Sequence, residues 1–162
     1  MQESVTRVLD RMRVLCSRRE YCCADIRTKA SAALVKQGMD KDQVPEAAKI
    51  ILDSLVKDKY LDDLRYARAF VADKASIAGW GPGKIRYALI MKGIDTLIIS
   101  EAISGADADK AGRRLYRLLE TKWKSLSDDP AGKMKLCRFA MGRGYLYDDI
   151  MPVIEEIISG GR

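Results

Sequence analysis

Residues 84–103 read KIRYALIMKGIDTLIISEAI. Before Gly93 stand Ile85, Ala88 and Leu89; after it stand Ile99, Ala102 and Ile103. Spacings of three and four residues mark one face of a helix. Glycine suits the left-handed residue that closes a helix. The stretch therefore predicts a helix, a glycine stop and a second helix. Two further glycines carry the same pattern at the same offsets. Around Gly38 the residues are Ala30, Ala33, Leu34 and then Val44, Ala47, Ala48; around Gly144 they are Leu136, Phe139, Ala140 and then Ile150, Val153, Ile154. All eighteen positions are apolar. A unit that recurs in this way is the signature of a repeat architecture.

Each pair is preceded by a third amphipathic stretch. Val5, Val8, Leu9, Met12, Leu15 and Cys16 form the first stripe, Leu64, Ala67, Phe70 and Val71 the second, and Ala111, Leu115, Leu118 and Leu119 the third. Pro82 and Pro130 fall near the starts of the middle helices of the second and third units, where the first turn tolerates proline. Asp40, Asp95 and Asp148 are the expected caps of the third helices, and Pro152, a little deep in the last one, either bends it or moves its start. No period-two alternation argues for strands. The expected fold is all-α: three tandem three-helix repeats over residues 1–60, 61–106 and 107–162, stacked into an elongated, curved array of right-handed type. Tyr87, Ile90 and Met91 lie across the fifth helix from its apolar face, so that helix is expected to be buried on both sides, in a central repeat.

Charge repeats along with hydrophobicity. The net values are +4, −2, +4, −4, +7 and −3 over residues 1–36, 37–62, 63–92, 93–109, 110–143 and 144–162. In every unit the first two helices are basic and the third is acidic. Regular stacking would turn a net charge of +6 into a long positive stripe beside a negative one, suited to an acidic partner. Lys110, Arg113, Arg114 and Arg117 are the sharpest element of that stripe, at i, i+3, i+4 and i+7 on one helix face, opposite its leucines. Such a face serves either solvation or contact with a polyanion. Arg65 and Arg68, and Arg7 and Arg11, are weaker copies of it. Trp80, between Gly79 and Gly81, either packs over helix ends or stacks on a partner.

Several chemistries are excluded. The chain of 162 residues contains no histidine, which removes Ser-His-Asp and Cys-His catalysis and imidazole as a general base. Cys16, Cys22, Cys23 and Cys137 form no Cys-x-x-Cys pair, so they read as reduced structural thiols and not as a zinc site. Gly79-x-Gly81 with Lys84 lacks the Gly-Lys-Ser/Thr element of a phosphate loop. No apolar run approaches a membrane span, and Met1-Gln2-Glu3-Ser4 lacks the layout of a signal peptide. A cytoplasmic, monomeric protein without cofactor, metal or membrane attachment is expected.

The local words are also familiar. Ser17-Arg18-Arg19-Glu20-Tyr21, Tyr60-Leu61-Asp62-Asp63 with Arg65-Tyr66-Ala67 and Ala69-Phe70-Val71, Gly79-Trp80-Gly81-Pro82 with Lys84-Ile85-Arg86, and Lys92-Gly93-Ile94 occur in that order. Together they resemble the RecX family of bacterial regulators of the RecA recombinase. The third repeat matches more loosely, at Leu136, Arg138, Phe139 and Arg143-Gly144-Tyr145. The family often places basic residues where this chain has Ala78 and Trp80. The resemblance implies a curved array of three repeats that binds in the groove of the RecA filament on DNA. It implies suppression of ATP hydrolysis, strand exchange and coprotease activity, with no catalytic residue. The residues expected to meet RecA or single-stranded DNA are Arg65, Arg68, Trp80, Lys84, Arg86, Lys110, Arg113, Arg114 and Arg117. A helical DNA-binding protein acting without RecA is the alternative reading of the same charge pattern, and an adaptor with incidental charge is a third.

Overall fold

The computed structural model describes residues 2–160. Within them the chain forms nine α-helices and no strand. In order these are α1 (Gln2–Arg18), α2 (Cys23–Lys36), α3 (Val44–Lys57), α4 (Asp63–Ser76), α5 (Pro82–Met91), α6 (Thr96–Ser104), α7 (Ala108–Trp123), α8 (Gly132–Gly142) and α9 (Tyr147–Ile158). The helices pack in triplets, α1–α3, α4–α6 and α7–α9, each around its own apolar cluster. Met12, Ile26, Leu34, Ile51 and Leu55 centre the first cluster, Ala67, Leu89 and Ile99 the second, and Leu119, Leu136, Ile150 and Ile154 the third. All eighteen positions picked out by the glycine alignment are buried or half-buried.

Three small cores make an open molecule. Its accessible surface is 10370 Å², whereas a compact protein of its mass would expose about 8,100 Å². The excess is surface that neighbouring triplets leave uncovered.

The three glycine turns share one hydrogen-bond pattern. Met39, Ile94 and Tyr145 each donate their N–H to the carbonyl five residues back, on Leu34, Leu89 and Ala140; Gly38, Gly93 and Gly144 donate to Val35, Ile90 and Met141. This double closure caps a helix whose next residue is left-handed, and the glycine φ values are +82°, +74° and +93°. The apolar residue after each glycine covers the apolar residue that accepts its N–H.

The turns also join the repeats. The start of α5 lies on the turn after α8: Gly81 N–H donates to the Arg143 carbonyl at 2.6 Å and Gly83 N–H to the Gly144 carbonyl at 3.0 Å. The Arg143 side chain reaches back to the Ala78 carbonyl at 2.9 Å. The start of α2 sits in the corresponding way on the turn after α5. There Cys22, buried in the second cluster, points its thiol at the Lys92 carbonyl, and Lys92 pairs with Asp25 at 3.3 Å. In the third repeat the same end of the middle helix is covered by its own chain. The segment after α7 folds back so that Gly132, itself buried, lies against the Leu126 carbonyl and the Trp123 ring. Asp129 ties that segment to Ala131 N–H and to Lys135.

Some sequence expectations need correction. Asp95 caps α6 by accepting from Leu97 N–H, but Asp40 and Asp148 are not caps. A turn over 40–43 delays α3, whose cap position is Gln43, and α9 begins after Leu146 with Asp148 in its first turn. The side-chain caps on α4 and α7 are Asp62 and Asp107. Pro82 opens α5 as expected; Pro130 stops short of α8, and Pro152 lies inside α9. The second face of α5 is not buried, because Tyr87, Ile90 and Met91 are exposed.

The turns rank by what faces them. A Cβ at Gly38 meets nothing within 4 Å, one at Gly93 makes an ordinary 3.5 Å contact with Ala24, and one at Gly144 would stand 2.5 Å from the Lys84 nitrogen. Gly38→Ala and Gly93→Ala should therefore cost only left-handed strain, about 1–2 kcal/mol. Gly144→Ala should lower the urea midpoint clearly more than either. Small-angle scattering checks the shape: the radius of gyration should exceed the roughly 15 Å of a compact chain of this length.

Candidate functional site

The joint between the second and third repeats gathers a cluster of cations beside two aromatic rings. Trp80, half-buried in the α4–α5 loop, packs edge-on against Phe70 at 6.4 Å between centroids. The Lys74 and Lys84 ammoniums approach its ring at 4.8 Å and 4.7 Å. Cation–ring contacts of this kind hold long side chains near an aromatic face. Trp80 thus packs over the end of α4 and also presents a ring flanked by charge.

Beside it runs an open groove of about 560 Å³, with Ile77, Ala78 and Gly79 on one wall and Arg114, Arg117, Lys122 and Arg143 on the other. Phe139 lies between Lys122 and Arg143, whose charged groups are 5.3 Å and 5.2 Å from its centroid. Among the described residues Lys74, Lys84, Lys110, Arg113, Arg114, Arg117, Lys122 and Arg143 make no salt bridge. Nearby, Tyr145 is half-buried, and burial pushes its phenol up while Arg114 and Arg143 oppose the shift. An array of unpaired cations with an aromatic face beside it attracts phosphates and acidic side chains.

The residues expected from sequence divide into two groups. Trp80, Lys84, Arg114 and Arg117 come together at this joint. Lys110 lines a smaller cleft with Arg68 and Arg114, and Arg113 is exposed one turn away on α7. The other arginines have partners within the fold. Arg65 pairs with Glu20 at 2.6 Å and donates to the carbonyls of Lys59 and Tyr60, bracing the first joint. Arg68 faces Glu101 at 3.4 Å, and Arg86 donates to the Ser100 hydroxyl at 3.2 Å. Lys74, Lys122 and Arg143 were missed. Arg143 could have been found, since it takes the place of Lys92 in the glycine alignment and that residue sits at the other joint.

Cys16, Cys22 and Cys23 offer no activated nucleophile. Burial holds the Cys16 and Cys22 thiols above their ordinary range, and burial with Asp63 nearby pushes Cys23 up to about 12. No group of side chains among the described residues is arranged to hold a metal. Among the described residues no helix is long and apolar enough to cross a membrane.

Comparison with known proteins places this geometry. Residues 62–103 match the family model for the RecX second three-helix domain, and residues 113–154 the model for its third. The chain is 35% identical over 127 residues to a regulatory protein RecX of Clostridium botulinum, covering 76% of this chain and 57% of that one. It therefore spans little more than half the length of that relative. It is 30% identical over 149 residues to the one from Salmonella arizonae, covering 91% of this chain and 89% of its relative. The crystal structure of RecX from Lactobacillus salivarius superposes with a TM-score of 0.80 at 20% identity, over 97% of this chain and 98% of that one.

Two carboxyls of the third repeat set an acid dependence. Lys110 N–H, then Asp109 N–H, hold the Asp107 carboxyl below its ordinary 3.8, and Lys135, then Ala131 N–H, do the same for Asp129. A carboxyl lowered by folding stabilises the fold above its unfolded value and ceases to as pH falls through the folded value. The double variant Asp107→Asn, Asp129→Asn should therefore be less stable than the parent at pH 7, with the gap in urea midpoint closing toward pH 2–3.

Proposed function

The chain belongs to the RecX family, and on that premise we propose that it binds the RecA recombinase filament on single-stranded DNA and restrains it. The restrained activities are ATP hydrolysis, strand exchange and coprotease action, so the protein tempers recombination and the SOS response in the cytoplasm. It acts as a monomer and without catalysis of its own. The observation that carries this reading is the run of unpaired cations from Lys84 past Arg114 and Arg117 to Lys122, beside the Trp80 ring.

The physical logic is that of many weak contacts on a lattice. An array longer than a compact domain spans more than one subunit of a filament. Each exposed cation contributes little, on the order of 1 kcal/mol or less. Once one repeat is engaged the others bind at high effective concentration, and the sum holds neighbouring subunits in one relative position. A recombinase that must change subunit geometry to hydrolyse ATP is slowed by such a clamp. Rising salt should weaken the clamp through screening and counterion release.

The groove charge also supports the alternative of direct DNA binding without RecA, and one experiment separates the two. Replacing Lys84, Arg113 and Arg117 together by glutamate reverses exposed charges that form no salt bridge in the fold. The variant should melt like the parent yet inhibit RecA ATP hydrolysis on single-stranded DNA at least tenfold less well. Equal inhibition by the folded variant would disprove the role of this groove. Parent binding to bare DNA as tight as to the filament would favour the alternative.

A further inference from the structure

The outer face of α5 has no role in the fold. Tyr87, Ile90 and Met91 stand at i, i+3 and i+4, so they form one contiguous patch. Their exposures are 66%, 45% and 69%. The opposite face of the same short helix supplies Ile85 and Leu89, which are fully buried. A helix of ten residues thus places apolar side chains in water on one side while using the other for the core. Exposed apolar residues scattered singly need no explanation, but a cluster does.

Two observations indicate what covers it. The first is register. Ile90 is the third residue before Gly93, and the third residues before Gly38 and Gly144 are Val35 and Met141, each about half exposed. An apolar knob therefore recurs once per repeat on the middle helices and is broadest in the central repeat. A row with that spacing matches a surface that itself repeats. The second is charge. From Pro82 to Ile94 the chain carries Lys84, Arg86 and Lys92 and no acidic side chain. Lys92 is paired with Asp25, while Lys84 and Arg86 make no ion pair. An apolar patch with a cationic rim is complementary to an apolar patch with an acidic rim, which is a protein surface and not a phosphate backbone.

We propose that the Tyr87–Ile90–Met91 face of α5 docks on a recombinase subunit within the filament, at an acidic-rimmed apolar patch, while the Trp80–Arg117 groove takes the charge of the lattice. This rests on the functional reading above and divides the interface into two parts. The α5 face supplies the salt-insensitive, protein-specific contact, with Tyr87 as its anchor, since buried tyrosines dominate such contacts. The groove supplies the salt-sensitive one.

The test is equilibrium binding of the triple variant Tyr87→Ser, Ile90→Ser, Met91→Ser and its parent to RecA filaments on poly(dT) and to bare poly(dT), each at low and high salt. The expected result is filament affinity weakened about tenfold or more, unchanged affinity for bare DNA, and a salt slope like that of the parent. Met91→Glu, which alters one largely exposed side chain, should weaken filament binding in the same direction and covers the case in which the triple variant misfolds. Filament binding by a folded variant as tight as the parent's overturns this assignment alone. Equal loss on bare DNA also overturns it, because the face would then read nucleic acid. So does sedimentation showing a parent dimer that the triple variant abolishes. A parent that does not bind filaments at all overturns the functional reading together with the assignment.

Discussion

The arrangement of the second and third repeats depends on two backbone carbonyls at the end of the last middle helix, α8. Closing a helix through a left-handed glycine turns the last peptide units away from the helix axis. At Arg143 and Gly144 the exposed carbonyls accept from the first N–H groups of α5, groups that have no partner within their own helix. The end of one helix thereby satisfies the beginning of another. Both sides of the joint require glycine: a Cβ at Gly81 would stand 2.5 Å from the Gly144 carbonyl carbon. Backbone so closely apposed fixes how the second repeat sits on the third, and with it the groove that runs between them.

The repeat was legible because its signal is local. Helix periodicity and a glycine stop lie within about thirty residues, and burial of all eighteen aligned positions follows from geometry that needs no knowledge of distant chain. Partnering is a different matter. Arg65 looks like Arg117 in sequence, yet its partner Glu20 stands 45 residues away and is brought near only by stacking of the first two repeats. The α5 face was misread for a related reason. Two apolar sides normally mean burial on both, but a linear array gives its central helix neighbours before and after it, and none on its outer side. The caps were missed at Asp40 and Asp148 because a turn residue and a first-turn residue share the composition of a cap.

The electrostatics follow from the same geometry. Among the described residues no polar or charged side chain is fully buried, so the charges act through the field they create in solvent and not through buried pairs. Two salt bridges cross the first joint, Arg65 with Glu20 and Lys92 with Asp25. The third repeat keeps most of its cations unpaired. No salt bridge among the described residues crosses the second joint, where the groove lies.

The segment that folds over Gly132 has a consequence for growth. An arrangement in which each unit offers the next the same surface has no intrinsic length, and copies could add end to end as in a fibre. Here the third unit's own chain occupies the position that a following turn would take. Another unit could dock there only by prising Leu126 and its neighbours off the helix. The molecule is thus a ruler with a stop at one end.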